Sequence, residues 1–200
     1  MNGTNGTSRP DFAAIAKWVG TGARVLDLGC GDGSLLRYLA KERGTTGYGV
    51  EIDDDRILAC VKNGVNAIQG DLERGLSGFA DDSFDYVVLS LTLQAVKSSD
   101  RVMREMLRVG RQGIVTFPNF GYWRNRMQVM LGRMPVSDIL PYHWYDTPNI
   151  HLCTIKDFEV FCASHEVRIL ERVIMRGGAT VTFLPNILGS LAVYRFERVQ

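Results

Sequence analysis

The chain has 200 residues and a mass of 22.3 kDa, enough for one domain with a substantial hydrophobic core. Hydrophobic residues make up 46% and charged residues 22%, a balance that excludes a disordered or fibrous protein. The formal net charge of +1 argues against a strongly basic nucleic-acid binder. The charge is uneven, because the first hundred positions hold 10 basic and 14 acidic residues and the second hundred hold 13 and 8.

Cysteine content and hydropathy predict the compartment. The four cysteines form no Cys-x-x-Cys pair and no disulfide framework, so we expect a reducing environment, the cytoplasm. Residues 1–10 are polar and are predicted to be a disordered N-terminus without a signal peptide. The most apolar stretch, 86–93, is too short to cross a membrane. We expect no membrane partner, no nucleic acid and no bound metal.

Strands and helices are predicted to alternate along residues 11–200, which we treat as a single domain. Helices are predicted over 11–18, 34–42, 99–109, 120–131 and 154–164, with another starting at 53–55, and strands over 24–28, 46–52, 66–69, 84–90, 112–117, 167–175 and 191–198. Apolar strands separated by helices indicate an α/β, Rossmann-like fold. We therefore expect a mostly parallel seven-stranded sheet with helices on both faces and an antiparallel C-terminal hairpin at one edge.

A glycine-rich turn follows the first predicted strand. Residues 25–33 read Val-Leu-Asp-Leu-Gly-Cys-Gly-Asp-Gly, so the chain passes from a strand through three glycines into a helix. Glycine permits positive φ and close approach of a ligand to the backbone. The spacing lacks the third glycine of a dinucleotide site, and it is not a phosphate loop. Asp27 would repel a pyrophosphate but suits a cationic ligand.

Two more carboxylates follow the next two strands. Glu51 comes 18 residues after Gly33, where an acidic side chain can accept hydrogen bonds from both ribose hydroxyls. Asp71 follows the third strand and is a candidate acceptor for an adenine amino group. With Asp27 they predict a site for a positively charged ligand that carries a ribose. The alternative is that the glycines only make a tight turn between strand and helix.

The motif from Asp27 to Gly33 resembles that of class I S-adenosylmethionine-dependent methyltransferases. The resemblance covers the first five strands and implies S-adenosylmethionine or S-adenosylhomocysteine as the cofactor, with Glu51 contacting the ribose and Asp71 the adenine. The candidate cofactor-binding residues are Asp27, Gly29, Cys30, Gly31, Gly33, Glu51, Ile52, Asp71, Leu72 and Ser90.

No catalytic residue is predicted. Methyl transfer from a sulfonium requires mainly proximity and orientation, so a catalytic base is optional. The loop 90–94 lacks the Asn/Asp-Pro-Pro-aromatic motif of methyltransferases that act on amino groups. Cys30 lies inside the glycine turn, where it is expected to pack rather than act as a nucleophile.

Residues 118–150, here called the aromatic segment, follow the fifth strand and are interrupted by prolines. The segment is predicted to cover an acceptor or to present anchors to a partner protein. The alternative is a stiff loop that only covers the edge of the sheet. Candidate substrate or partner residues in and around it are Gln94, Tyr122, Trp123, Arg124, Tyr142, Trp144, Tyr145 and His151.

From about residue 10 to 198, the chain is similar to the methionine-biosynthesis MetW family. The similarity is carried by residues 26–36, 90–94, 117–124, 132–136 and 144–158. It implies a methyltransferase-like protein that works with homoserine O-acyltransferase (MetX) and stimulates it. Two functions therefore remain open: a cofactor-binding activator of the acyltransferase, and an active small-molecule methyltransferase with an unknown acceptor. Whether the chain is itself an enzyme stays undecided at this point.

Overall fold

A computed structural model describes residues 9–199; residues 1–8, within the predicted disordered N-terminus, and residue 200 lie outside the described residues. The helices are α1 (Pro10–Trp18), α2 (Ser34–Arg43), α3 (Asp54–Lys62), α4 (Ser99–Val109), α5 (Trp123–Met130), α6 (Ile155–Ser164) and α7 (Pro185–Leu188). The strands are β1 (Arg24–Leu28), β2 (Thr46–Glu51), β3 (Ala67–Gln69), β4 (Phe84–Ser90), β5 (Gly110–Pro118), β6 (Val167–Arg176), β7 (Ala179–Thr180) and β8 (Leu191–Arg198).

The strands form one mixed sheet in the order β3-β2-β1-β4-β5-β8-β6-β7. Strands β1 to β5 pair in parallel, and β8 pairs antiparallel with both β5 and β6. The predicted Rossmann-like fold with antiparallel C-terminal strands is therefore confirmed. From β1 the chain builds the sheet outward through β2 and β3 on one side, and then returns to the other side of β1 with β4. Such a switch point between β1 and β4 opens a crevice at the carboxyl ends of the strands.

Three details differ from the sequence prediction. The sheet has eight strands, because the two-residue strand β7 extends the edge beside β6. Strand β8 lies inside the sheet between β5 and β6, so only β6 and β7 approach that edge. The expected disorder does not hold for Arg9 and Pro10, since Pro10 begins α1 and Arg9 pairs with Asp11.

The two faces of the sheet bury two cores. Along β5, Val115 and Phe117 join one core, and Ile114 points into the other. This alternation follows from the two-residue period of a strand. Helices α4 and α6 cover the first face, and α1 and α2 cover the second. Because both faces are covered, the buried parts of the central strands are mainly apolar, as the sequence pattern predicts.

Local sequence signals determine several helix ends. The predicted cap of α6 is confirmed: the Thr154 hydroxyl accepts the Asp157 N–H, and the Asp157 carboxylate accepts the Thr154 N–H. Helix α3 starts after Asp53, whose side chain accepts the Arg56 N–H at 3.1 Å. Helix α5 begins at Trp123, three residues later than predicted, because residues 119–122 form a hydrogen-bonded turn.

Candidate functional site

The glycine turn lies at the carboxyl end of β1, beside the switch point. Gly29, Gly31 and Gly33 have φ values of 68°, 59° and 76°, a region that favours glycine. A Cβ at Gly29 would lie 2.8 Å from Thr92, and one at Gly33 would lie 2.9 Å from Val65. Packing therefore requires both of these glycines. A Cβ at Gly31 would meet no atom within 4 Å, so a ligand has room beside this residue.

Glu51 is buried against this turn. One carboxylate oxygen accepts the Gly31 N–H at 2.8 Å, and the other accepts the N–H groups of Ile52 at 2.9 Å and Asp53 at 3.2 Å. The Arg56 guanidinium lies 3.9 Å away. These bonds hold the carboxylate in one orientation. A carboxylate has about four acceptor positions, so three backbone bonds leave capacity for a ligand hydroxyl.

Asp27 is buried on β1, and one of its carboxylate oxygens has no hydrogen-bond partner among the described residues. The residue is 2% exposed, and that oxygen is Oδ1. Burial raises the pKa of Asp27 to about 7; Arg9 opposes the rise, whereas Glu51 and Asp11 add to it. An orphaned buried acceptor of this kind is costly. A cationic donor such as the amino group of S-adenosylmethionine fits this position, so the residues present fit the cofactor.

The pKa of Asp27 makes the stability depend on pH. The value rises from 3.8 to about 7 on folding, so between these values the folded state binds more protons than the unfolded state. Stability then falls as pH rises through this window, by at most about 1.4 kcal/mol per unit. We expect Asp27→Asn to raise the free energy of unfolding at about pH 8 and to change it little near pH 4. Urea denaturation at both pH values measures this, with the exposed Asp55→Asn as control. Equal effects at the two pH values would contradict the assignment.

The remaining candidate cofactor residues occupy distinct positions around the crevice. The Asp71 carboxylate accepts the Glu73 N–H at 2.9 Å and so caps the short 3-10 turn Leu72–Arg74. Ile52 is 62% exposed beside Glu51, and Leu72 is half-buried. Ile52 therefore offers an apolar surface to a planar base. Ser90 ends β4 on the other side of the crevice.

Cys30 packs inside the structure. Its Sγ lies 3.7 Å from that of Cys60, which contacts the Gly31 carbonyl at 3.1 Å. Burial raises the pKa of both thiols, which suppresses the reactive thiolate. The geometry agrees with a packing role for Cys30 next to the glycine turn.

Sequence reasoning missed Arg9 and Asp11. Asp11 is 1% exposed, and its carboxylate pairs with the Arg9 guanidinium at 2.5 Å beside Ser90. Asp11 precedes Ile15 by four residues, so the two side chains lie on the same face of α1. This spacing could have predicted from the sequence that Asp11 is buried. Nothing in the sequence marked Arg9, which fell in the stretch predicted to be disordered.

The predicted substrate or partner residues do not form one site. Tyr122, Trp123 and Arg124 line a cavity of about 740 Å³ together with Pro10 and the turn between β6 and β7. Gln94 and His151 line a separate cavity of about 390 Å³ with a floor of phenylalanine side chains. The other three predicted residues lie outside both cavities and are exposed to solvent: Tyr142, Trp144 and Tyr145.

Asn119 determines how the aromatic segment leaves the sheet. Its side chain is fully buried and donates to the carbonyl groups of Asn186 at 3.1 Å and Gly189 at 2.8 Å. Its Oδ1 accepts the N–H groups of Gly121 at 3.0 Å and Ile155 at 3.3 Å. One amide thus joins the end of β5, the start of α6 and the C-terminal part of α7 with the residue that follows it. Residues 117–124 therefore include a structural element as well as cavity-lining side chains.

Residues 9–199 hold neither a cluster of metal ligands nor a helix that could span a membrane. This part of the chain contains no group of three or more His, Cys, Asp or Glu side chains arranged to hold a metal ion. None of its helices combines the length and apolarity needed to cross a membrane.

Known structures define the class of the fold. An S-adenosylmethionine-dependent methyltransferase from Mesorhizobium loti superposes with a TM-score of 0.70 at 16% identity, covering 96% of this chain and 99% of that one. A TehB-like S-adenosylmethionine-dependent methyltransferase from Corynebacterium glutamicum gives 0.66 at 15% identity, covering 97% and 90%. The protein has the class I S-adenosylmethionine-dependent methyltransferase fold.

Sequence comparison identifies the family. The family model for methionine biosynthesis protein MetW matches residues 9–196. The bifunctional methionine biosynthesis protein MetXA/MetW of Rhodopirellula baltica is 39% identical in an alignment of 177 positions that covers 84% of this chain and 28% of that protein. The chain belongs to the MetW family, as its sequence motifs predict. It spans between 28% and 50% of the length of the first curated relatives that it matches.

Proposed function

We propose that the crevice between β1 and β4 binds S-adenosylmethionine or S-adenosylhomocysteine. The buried Asp27 Oδ1 atom without a partner is the observation that carries this proposal. Asp27 receives the amino group of the ligand, and Glu51 accepts a hydrogen bond from a ribose hydroxyl. Gly29, Gly31 and Gly33 let the backbone approach the ligand, while Ile52, Asp71 and Leu72 surround the adenine. When bound, S-adenosylmethionine supplies an activated methyl group.

We propose further that the protein associates with homoserine O-acyltransferase in the cytoplasm and raises its rate of acylation. Membership of the MetW family supports this role, and the Rhodopirellula baltica relative bears the names MetXA and MetW together. The exposed side chains of Tyr142, Trp144 and Tyr145 supply aromatic anchors of the kind that dominate protein interfaces. Because S-adenosylmethionine is made from methionine, the cofactor site lets a downstream product regulate the acyltransferase.

Purified protein and acyltransferase test the partnership. We expect the two to co-elute and the acylation rate to rise when this protein is added. Replacing Trp144 and Tyr145 by Ala should weaken the complex. Phe183→Ala is the matched control, because Phe183 is an equally exposed aromatic residue outside the aromatic segment. Separate elution together with an unchanged acylation rate would refute the partnership.

An active small-molecule methyltransferase is the alternative function. The cavity of about 740 Å³ favours this function. Its lining includes Tyr122, Trp123 and Arg124 on one side and Pro10 on another. Pro10 follows Arg9, which lies at the crevice, so the cavity is next to the proposed cofactor site. Such a cavity is large enough for a small acceptor. Methyl transfer predicts that labelled S-adenosylmethionine becomes S-adenosylhomocysteine when cell extract supplies acceptors. No turnover in any acceptor pool, with cofactor binding retained, would refute this alternative.

A further inference from the structure

Helix α5 and the residue after it carry an apolar stripe that faces solvent, here called the α5 stripe. It consists of Trp123, Met127, Met130 and Leu131, which are 40%, 45%, 79% and 73% exposed. At about 100° per residue, these positions lie within about 100° of one another around the helix axis. A helix of a globular protein normally turns such a stripe toward its own core. A contiguous exposed apolar surface of this kind indicates an interaction site.

The opposite side of α5 fastens the helix to the rest of the domain. Asn125 is 3% exposed, and its amide donates to the Asn119 carbonyl at 3.2 Å. The Gln128 side chain makes two bonds to the backbone of Val136, donating to its carbonyl at 3.2 Å and accepting its N–H at 3.1 Å. These bonds fix both the helix and the chain that returns from it. The α5 stripe is therefore displayed on an ordered support, which reduces the entropy lost on binding.

The charges next to the α5 stripe are all positive. Residues 118–137 contain three arginines, Arg124, Arg126 and Arg133, and no Asp or Glu. The helical spacing places Arg124 and Arg126 at the two opposite borders of the stripe. All three side chains are exposed, and Arg124 and Arg133 form no ion pair with any other residue of 9–199. An apolar centre with a basic border complements an apolar groove with an acidic rim.

We propose that α5 inserts into an apolar groove with an acidic rim on the homoserine O-acyltransferase. The inference rests on the proposed partnership and names the element and the surface chemistry through which it works. Recognition of a helix in a groove uses anchors at positions i, i+4 and i+7, which are Trp123, Met127 and Met130. Methionine side chains adapt readily to the shape of a pocket. A second copy of this chain fits poorly, because a two-fold contact would bring the same arginines together.

Surface plasmon resonance with purified acyltransferase tests the role of the α5 stripe. The double variant Met130→Ala, Leu131→Ala should weaken binding by about 10- to 100-fold, the range for truncating central anchors of an interface. Arg133→Glu should lower the association rate constant, because it places a negative charge against an acidic rim. Added salt should slow the association of wild type more than that of Arg133→Glu.

Helix α3 supplies matched controls at the other edge of the sheet. It carries two exposed apolar side chains one turn apart, Leu58 and Val61, which are 57% and 65% exposed, followed by the exposed Lys62. Helix α3 connects β2 with β3, whereas α5 lies beside the turn between β6 and β7. The double variant Leu58→Ala, Val61→Ala and the variant Lys62→Glu should leave the affinity and the association rate unchanged. Thermal denaturation verifies that every variant folds.

The outcomes separate the α5 stripe from the partnership on which it rests. If the acyltransferase binds wild type and the Met130→Ala, Leu131→Ala variant equally well, the role of α5 is overturned and the partnership stands. If wild type does not bind, both are overturned. An unchanged association rate for Arg133→Glu overturns the acidic rim. Dimerisation, or binding to phosphatidylserine vesicles, that requires the stripe while the affinity for the acyltransferase does not would assign α5 to that other occupant and overturn the proposal.

Discussion

Glu51→Ala is expected to weaken S-adenosylhomocysteine binding by about 10- to 100-fold and to destabilise the fold. One charge-assisted bond to a ribose hydroxyl accounts for a loss of that size. The same change removes the acceptor of three backbone N–H groups, those of Gly31, Ile52 and Asp53. We therefore expect a loss of about 3–5 kcal/mol in the free energy of unfolding. Urea denaturation and calorimetric titration measure the two effects.

Two other substitutions calibrate this result. Glu51→Gln keeps one side-chain oxygen as an acceptor, so it should lie between wild type and Glu51→Ala in both measurements. The exposed Asp55→Ala, in the first turn of α3, should change neither by more than a small amount. A Glu51→Ala protein that bound the ligand as tightly as wild type would remove Glu51 from the site.

Asn119→Ala is expected to lower the free energy of unfolding by about 3–5 kcal/mol, because four hydrogen bonds of a fully buried amide are lost together. The affected groups belong to three separate segments. The cost should therefore exceed that of Asn66→Ala, an exposed asparagine before β3. Urea denaturation compares the two variants. A loss below about 1 kcal/mol for Asn119→Ala would contradict the role of this amide as a structural clamp.

Asn119→Asp tests the two donated hydrogen bonds of this side chain separately from the two that it accepts. The aspartate retains the oxygen that accepts from Gly121 and Ile155, but it places a second oxygen against the Asn186 and Gly189 carbonyls. The repulsion should destabilise the protein at neutral pH. Lowering the pH should restore part of the difference from wild type, because a protonated carboxyl can donate one bond.

Sequence periodicity predicts most of the sheet because the central strands are mainly apolar. That pattern indicates strands β1 and β4, and the glycine turn between β1 and α2 follows from local backbone geometry. Glu51 and Asp71 could be assigned to one edge because parallel strands end on the same side. These predictions depend only on local pattern and sheet topology.

Contacts between residues distant in sequence could not be predicted in this way. Asn119 bonds to Asn186, and Arg9 bonds to Ser90 across the switch point. Neither pair shares a local motif. The order of the C-terminal strands has the same origin. Strand β8 lies inside the sheet because residues 191–196 pair with β5 on one side and the strand pairs with β6 on the other. The separation of the aromatic segment residues into two cavities and an exposed cluster likewise depends on tertiary packing.

The central claim is that this chain has a working cofactor site at the carboxyl ends of β1 and β4. Calorimetric titration of wild-type protein with S-adenosylhomocysteine tests that claim most directly. We expect saturable heat with one ligand per chain and an affinity that Glu51→Ala reduces by about 10- to 100-fold. No saturable heat from folded wild-type protein, with either S-adenosylhomocysteine or S-adenosylmethionine, would contradict it.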